Sequence, residues 1–354
     1  MLSRLTLVSA SVAAVSVWLA WSPSTSWQEQ HFSDEPFSWP DSLRYLDKAG
    51  SQGVTLKTIV AGPDPSESKG VVLFVHGFPE TAASWKEYIL HYAAAGYHVL
   101  APDMRNVNNS MAESGMLSFD LLSDDLLSLV TSTGHDKAIV VGHDWGAVIA
   151  WVFALRFPAR TQALVAMAVP HPELYRSFNL VRLPFSVTHV WYFLFWGLTG
   201  PLARWKVAKD DFAWFISFAF GSSRPKTYSK ETIKRLKEVY ARTYQSDTHC
   251  PLSTWYWMGN EWLLKSVLPP SVLGPGTINS VWKDGQTPSV VPTLQLFGSD
   301  DIYVSPGMAG WSADSMYVTH PSKRTVVYDA SHWLLHEKTA EILQEMDAFI
   351  QSSP

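Results

Sequence analysis

Four short apolar runs, separated by longer amphipathic stretches, do most to limit how this chain can fold. Val71–Val75 (VVLFV), His98–Ala101, Ala138–Val141 (AIVV) and Ala163–Val169 read as strands. Thr81–Ala95, Phe119–Ser132 and Trp145–Arg156 read as the intervening helices, Phe119–Ser132 with its apolar residues at helical spacing. Such alternation predicts an α/β domain with a mostly parallel sheet flanked by helices. The alternation then stops. It resumes with Thr293–Phe297 (TLQLF), Thr325–Tyr328 (TVVY) and a last helix over His336–Ile350. The segment between is mostly helical in pattern and reads as an insertion between two sheet strands. The expected organisation is an apolar segment over 1–22, a linker over 23–42, the first part of the core over 43–171, a helical cap (lid) over 172–290, and the second part of the core over 291–354.

Composition narrows the function classes. Hydrophobic residues make up 47% of the 354 positions and charged residues 17%, which fills a core and excludes a long disordered chain. The net charge of −5 offers no basic excess, so nucleic acid is not an expected partner. The single cysteine, Cys250, excludes an internal disulfide framework and a Cys-rich zinc module. Eight of the 17 tryptophans fall in the insertion, and Phe178–Phe220 holds 13 aromatic residues in 43 positions. Part of that excess packs helices. The remainder suits a bulky apolar substrate in a water-poor site.

Leu5–Trp21 is an uncharged run of 17 residues with Arg4 before it and Glu29, Asp34 and Glu35 after it. It is longer than a usual signal-peptide core, Pro23 follows at once, and no clean small-x-small cleavage site stands out. An uncleaved signal anchor is expected, with a cleaved signal peptide and secretion as the alternative. The charge asymmetry places the N-terminus in the cytoplasm and the rest in the lumen, the endoplasmic reticulum above all, or outside the cell. In that topology Asn108-Asn109-Ser110 is a glycosylation sequon. Leu183–Ala203 is also uncharged over 21 residues, but its prolines, glycines and histidine favour an apolar cap segment over a membrane span.

The chemistry concentrates in Gly142-His143-Asp144-Trp145-Gly146, directly after the AIVV run and at the start of a helix. Small–x–nucleophile–x–small at such a turn is a nucleophile elbow: the turn is sharp and its backbones approach closely, so small residues flank the nucleophile. Here the nucleophile is Asp144. An oxyanion hole is expected from the backbone N–H groups of Phe78, in His76-Gly77-Phe78-Pro79, and of Trp145. His76 precedes the nucleophile and reads as structural. Nucleophile, acid, then histidine is the expected chain order. Asp300 and Asp301 both follow the TLQLF strand, and either carboxylate suits the acid. His332, after the TVVY strand, is the candidate base, ahead of His320 and His336. His336-Glu337 does not begin a zinc helix, because position 340 is Ala.

Together these residues resemble the epoxide hydrolases of the α/β-hydrolase fold. HGFPE with SW (His76–Glu80, Ser84-Trp85), APDMR (Ala101–Arg105), GHDWG, VPHP (Val169–Pro172), a Gly-x-x-Asp loop and a His-Trp loop occur in family order over Leu43–Phe349. Two departures stand out. The family's glycine-rich continuation after Asp-x-Arg is Asn106–Ser110 here, and Ala147 replaces a common glycine. The resemblance implies Asp301 as the acid. It implies Tyr192 and Tyr256, in the cap, as hydrogen-bond donors to the epoxide oxygen. It implies an apolar epoxide and water as reactants, with no cofactor or metal.

The residue chemistry agrees with that implication. A serine attacking an epoxide would leave an ether that water does not cleave. A carboxylate leaves an ester, which an activated water hydrolyses. Haloalkane dehalogenation shares this logic and is one alternative, although dehalogenases of this fold usually carry Asn at the Phe78 position. A non-catalytic hydrolase-fold binding protein is the other.

Overall fold

The computed structural model describes residues 28, 30–36, 39–108, 110, 117–175, 205, 207, 208, 210–244, 289–304 and 307–353. The apolar segment over 1–22 and the whole of Leu183–Ala203, with Tyr192 in it, lie outside these, as does Tyr256. No helix among the described residues is long and apolar enough to cross a membrane.

Among the described residues the central sheet has eight strands. They are β1 (Arg44–Ala49), β2 (Thr55–Ala61), β3 (Val71–Val75), β4 (His98–Pro102), β5 (Ala138–His143), β6 (Thr161–Met167), β7 (Thr293–Gly298) and β8 (Lys323–Tyr328), in the order β1-β2-β4-β3-β5-β6-β7-β8. β1 and β2, and β2 and β4, pair antiparallel, and all other pairs are parallel. Every residue of β3, β4, β5 and β7 is buried, as unbroken apolar runs require when helices cover both faces.

The helices are α1 (Lys86–Ala94), α2 (Phe119–Ser132), α3 (Trp145–Arg156), α4 (Ala213–Phe220), α5 (Lys230–Tyr244), α6 (Gly307–Ala313), α7 (Leu334–Glu337) and α8 (Thr339–Ser352). α2 starts where the Ser118 hydroxyl accepts the Leu121 N–H, and it buries Leu122, Leu126, Leu129 and Val130 along one stripe. α3 is buried on every side from Trp145 to Ala154, the pattern of a helix wedged between the sheet and other helices.

Three details depart from the sequence reading. β1 and β2 were not legible as strands, because β1 is an edge strand whose pattern is nearly all exposed. The helix expected over Thr81–Ala95 opens as a tight 3-10 turn at Ala82–Trp85 before α1. The helix expected over His336–Ile350 is two helices that meet at Lys338, whose φ of −132° and ψ of 33° are not helical.

Two features of the topology position the site. β3 lies between β4 and β5, so the chain leaves it toward one edge and later returns on the other side. A crevice opens beyond the C-terminal ends of strands at such a point. β6 pairs with β7 from Leu164–Thr293 to Met167–Leu296, so the long intervening segment leaves and rejoins the sheet at adjacent strands. α4 and α5 belong to that segment. Phe215 of α4 and Tyr240 of α5 pack on Phe78, with ring centroids 5.7 and 6.0 Å away.

The stretch expected as a linker is tied to the same segment. Lys226 N–H donates to the His31 carbonyl (2.7 Å), its ammonium to the Phe32 carbonyl (2.8 Å), and Ser33 bridges to Ser229. His31 Nε2 lies 3.0 Å from Ser223 Oγ and 3.2 Å from the Phe220 carbonyl.

Candidate active site

The loops after β3 and β5 meet because Val75 and Gly142 are register partners on adjacent strands. Asp144 sits at the tip of the second loop with φ 54° and ψ −124°, outside the regions that non-glycine residues favour. Its glycines are there for space. A Cβ on Gly142 would lie 2.3 Å from the Gly146 carbonyl oxygen, and one on Gly146 would lie 2.0 Å from that of Val75.

The turn presents the Asp144 carboxylate to two groups. Oδ1 accepts the Phe78 N–H at 2.8 Å. Oδ2 faces His332 Nε2 at 3.3 Å. Trp145 is the first residue of α3, so its N–H points out of that helix at the nucleophile's end. Phe78 and Trp145 line the same cavity as Asp144, His332 and Tyr303.

His332 Nδ1 lies 2.7 Å from Asp301 Oδ2, and both residues are buried. The other oxygen of Asp301 accepts the backbone N–H groups of Tyr303 (2.8 Å) and Val304 (2.9 Å), which fixes the carboxylate. Of the two acid candidates, Asp301 is the one beside the base. Asp300 is exposed and pairs instead with Arg224 at 3.1 Å. Burial pulls His332 down, but the Asp301 and Asp144 carboxylates outweigh it and carry the imidazole up to about 10. The ring lies between two carboxylates, both of which favour its charged form.

His76 faces backbone. Its Nε2 accepts the Met104 N–H at 3.0 Å, its Nδ1 donates to the Gly77 carbonyl at 2.8 Å, and burial pushes it down to about 4. Tyr192 and Tyr256 lie outside the described residues.

The sequence reading passed over a second buried cluster directly behind the first. His143 Nε2 donates to the His332 carbonyl at 2.9 Å, and its Nδ1 faces Glu80 Oε2 at 3.4 Å. Glu80 Oε1 takes His336 Nε2 at 2.6 Å and the Tyr228 hydroxyl at 3.1 Å. Burial alone would raise the Glu80 carboxyl, but His336 and His143 hold it well below the usual carboxylate range. The only sequence signal was Glu80 within HGFPE and His143 within the elbow, with no spacing that joins them.

The comparisons fit this architecture. A family model described as "alpha/beta hydrolase fold" matches residues 70–339. The AB hydrolase superfamily protein YfhM of Bacillus subtilis (strain 168) is 29% identical over 301 residues, 83% of this chain and 93% of its own. Human "Epoxide hydrolase 4" is 26% identical over 294 residues, 81% of this chain and 73% of its own. "Epoxide hydrolase A" of Mycobacterium tuberculosis reaches 42%, but over 122 residues, 34% of this chain and 37% of its own. Among solved structures, an epoxide hydrolase from Vigna radiata superposes with a TM-score of 0.68 at 21% identity, covering 88% of this chain and 99% of its own. With an eight-stranded sheet, a nucleophile elbow and a family match over most of its length, the chain belongs to the alpha/beta hydrolase fold family.

Proposed function

We propose that the protein is an epoxide hydrolase, converting an apolar epoxide and water to a vicinal diol through an ester on Asp144. The observation that carries this reading is the Asp144 carboxylate at the elbow, with Oδ1 on the Phe78 N–H and Oδ2 facing an Asp301-backed histidine. The relatives named epoxide hydrolases support it. The dehalogenase alternative is less favoured, since Phe78 stands where an Asn is usual.

In the first half-reaction Asp144 Oδ2 attacks a ring carbon. A new C–O bond forms, the ring C–O bond breaks, and Tyr192 and Tyr256 supply hydrogen bonds and a proton to the departing oxygen. Oδ1 stays on the Phe78 N–H and becomes the ester carbonyl oxygen. Esterification also discharges Asp144, removing one of the two carboxylates that hold His332 protonated. The imidazolium then gives up its proton, which replaces the one the tyrosines supplied to the departing oxygen, and the neutral ring serves as a base. In the second half-reaction His332 takes a proton from water, and the hydroxide adds to the ester carbonyl carbon. The oxyanion forms on Oδ1, held by the N–H groups of Phe78 and Trp145. The acyl C–O bond breaks, His332 gives its proton to the leaving diol oxygen, and the Asp144 carboxyl, now with one oxygen from water, passes its remaining proton to His332 and is regenerated as the carboxylate.

His332→Gln provides the test. Incubated with styrene oxide, it should accumulate the ester, read by mass spectrometry as an adduct on the Asp144 peptide. An unmodified peptide sinks the scheme. The same reading takes Leu5–Trp21 as a signal anchor that keeps the catalytic domain lumenal or extracellular. Synthesis with microsomes should give a membrane-integrated, protease-protected chain.

A further inference from the structure

We propose that Tyr303 is a positioning residue that ties α4, in the insertion, to the Asp301–His332 pair, so that ester hydrolysis depends on where that helix sits. The proposal rests on the epoxide hydrolase reading for its kinetic consequence, and on geometry for the coupling itself.

One end of Tyr303 is fixed to α4. The last carbonyls of a helix have no acceptor role within it and need a partner from elsewhere. In α4 the Tyr303 hydroxyl supplies that partner, donating to the Phe218 carbonyl at 2.5 Å with the Ala219 carbonyl at 3.2 Å. The Phe218 ring meets the Tyr303 ring edge-on, with centroids 5.9 Å apart and planes at 85°. Phe218 and Ala219 also line the cavity at Asp144, so the part of α4 that Tyr303 grips is the part facing the site.

The other end of Tyr303 is fixed to the acid–base pair. Its backbone N–H, with that of Val304, holds Asp301 Oδ1, while Oδ2 holds the His332 ring. The Tyr303 ring also touches the imidazole edge-on, with centroids 5.0 Å apart and planes at 70°. A single residue thus spans from two helix-end carbonyls to the base. Its proton is committed to those carbonyls. Burial, with Asp301 and Asp144 nearby, also pushes the phenol well above its ordinary range. It therefore does not fill the proton-donor role assigned to Tyr192 and Tyr256.

The two half-reactions should feel the tether differently. Asp144 is held by the Phe78 N–H, a backbone donor on the loop after β3 that meets α4 through the Phe78 and Phe215 rings, whereas Tyr303 holds Asp301 and His332 directly. His332 acts as a base only in the second half-reaction. The groups that face its ring are Asp144, Asp301, Tyr303, His143 and Trp333. Loosening Tyr303 should therefore slow ester breakdown and spare ester formation.

Tyr303→Phe keeps the ring and removes only the hydroxyl. Rapid-quench mass spectrometry with styrene oxide would follow the ester on Asp144 in wild type and variant. Formation should stay within about twofold and breakdown should fall about tenfold, in line with the cost of a small misplacement of a catalytic group. The His332 titration midpoint, read by NMR without substrate, should move by about half a unit or more. Unchanged breakdown, or both half-reactions slowed in equal proportion, with the His332 midpoint unmoved, overturns the coupling. Should no ester form even in wild type and His332→Gln, the epoxide reading falls. The NMR midpoint then decides the coupling by itself: a shift upholds the tether and its absence overturns it. A single cooperative melting transition confirms that the variant is folded.

Discussion

His143, the residue before the nucleophile, donates its Nε2–H to the backbone carbonyl of His332 at 2.9 Å. The base is thus held twice, by Asp301 through its ring and by His143 through its main chain. Behind His143 stands Glu80, buried and facing two histidines and a tyrosine hydroxyl.

Removing the Glu80 charge should be costly. Glu80→Gln takes the charged acceptor away from His336 and the Tyr228 hydroxyl, and deleting one partner of a buried pair costs about 3–5 kcal/mol. Denaturant unfolding should read a loss of about that size. The pH dependence has a definite sign. Glu80 is held below its ordinary 4.5, so its contribution is complete above that value and is lost as pH falls through the depressed folded value. Acid unfolding of wild type below about pH 4.5 should therefore be steeper than that of the variant.

His332 gives the opposite sign. Its folded value of about 10 lies above the ordinary 6.5. The stability it adds is complete below 6.5 and is lost as pH rises through about 10. Over that window the melting temperature of wild type should fall more than that of His332→Gln. Asp144→Asn removes one of the two raising charges, so the His332 NMR midpoint should drop by about one unit or more.

The elbow tolerates no added methyl. Gly146→Ala would place a Cβ 2.0 Å from the Val75 carbonyl oxygen, which is backbone in the central strand and cannot step aside. A loss of at least about 2 kcal/mol and of ester formation is expected, measured by thermal melting and adduct mass spectrometry.

The substituted glycine-rich loop should accept its glycines back. Asn106 and Asn108 have φ of 64° and 43°, in the left-handed region that glycine fills freely and asparagine tolerates best among the others. Asn106→Gly should change stability by no more than about 1 kcal/mol, whereas Asn106→Val, β-branched at a positive φ, should cost about 1–3 kcal/mol. Chemical denaturation of the two variants separates them.

What the sequence made legible follows from how locally each feature is encoded. The buried parallel strands announce themselves as apolar runs, and Asp144 lies in a five-residue pattern tied to one turn. Asp301 and Asp300 were separable only by resemblance, because the choice depends on where His332 arrives from 31 residues along the chain. β1 escaped notice because an exposed edge strand has no apolar face to repeat. The Glu80 cluster and Tyr303 escaped for a different reason: their partners lie on elements far apart in sequence. Tyr303 contacts carbonyls 84 and 85 positions away, and no periodicity records such a pairing.

The contacts of His31, Phe32 and Ser33 have a mechanical consequence. The chain is pinned to the stretch between α4 and α5 before it enters β1. The inserted segment is thus held by this early strap as well as by its contacts with Tyr303 and Glu80. Tension on the N-terminal side, from whatever precedes Gln28, would pull first on the roof of the site and only afterwards on its floor.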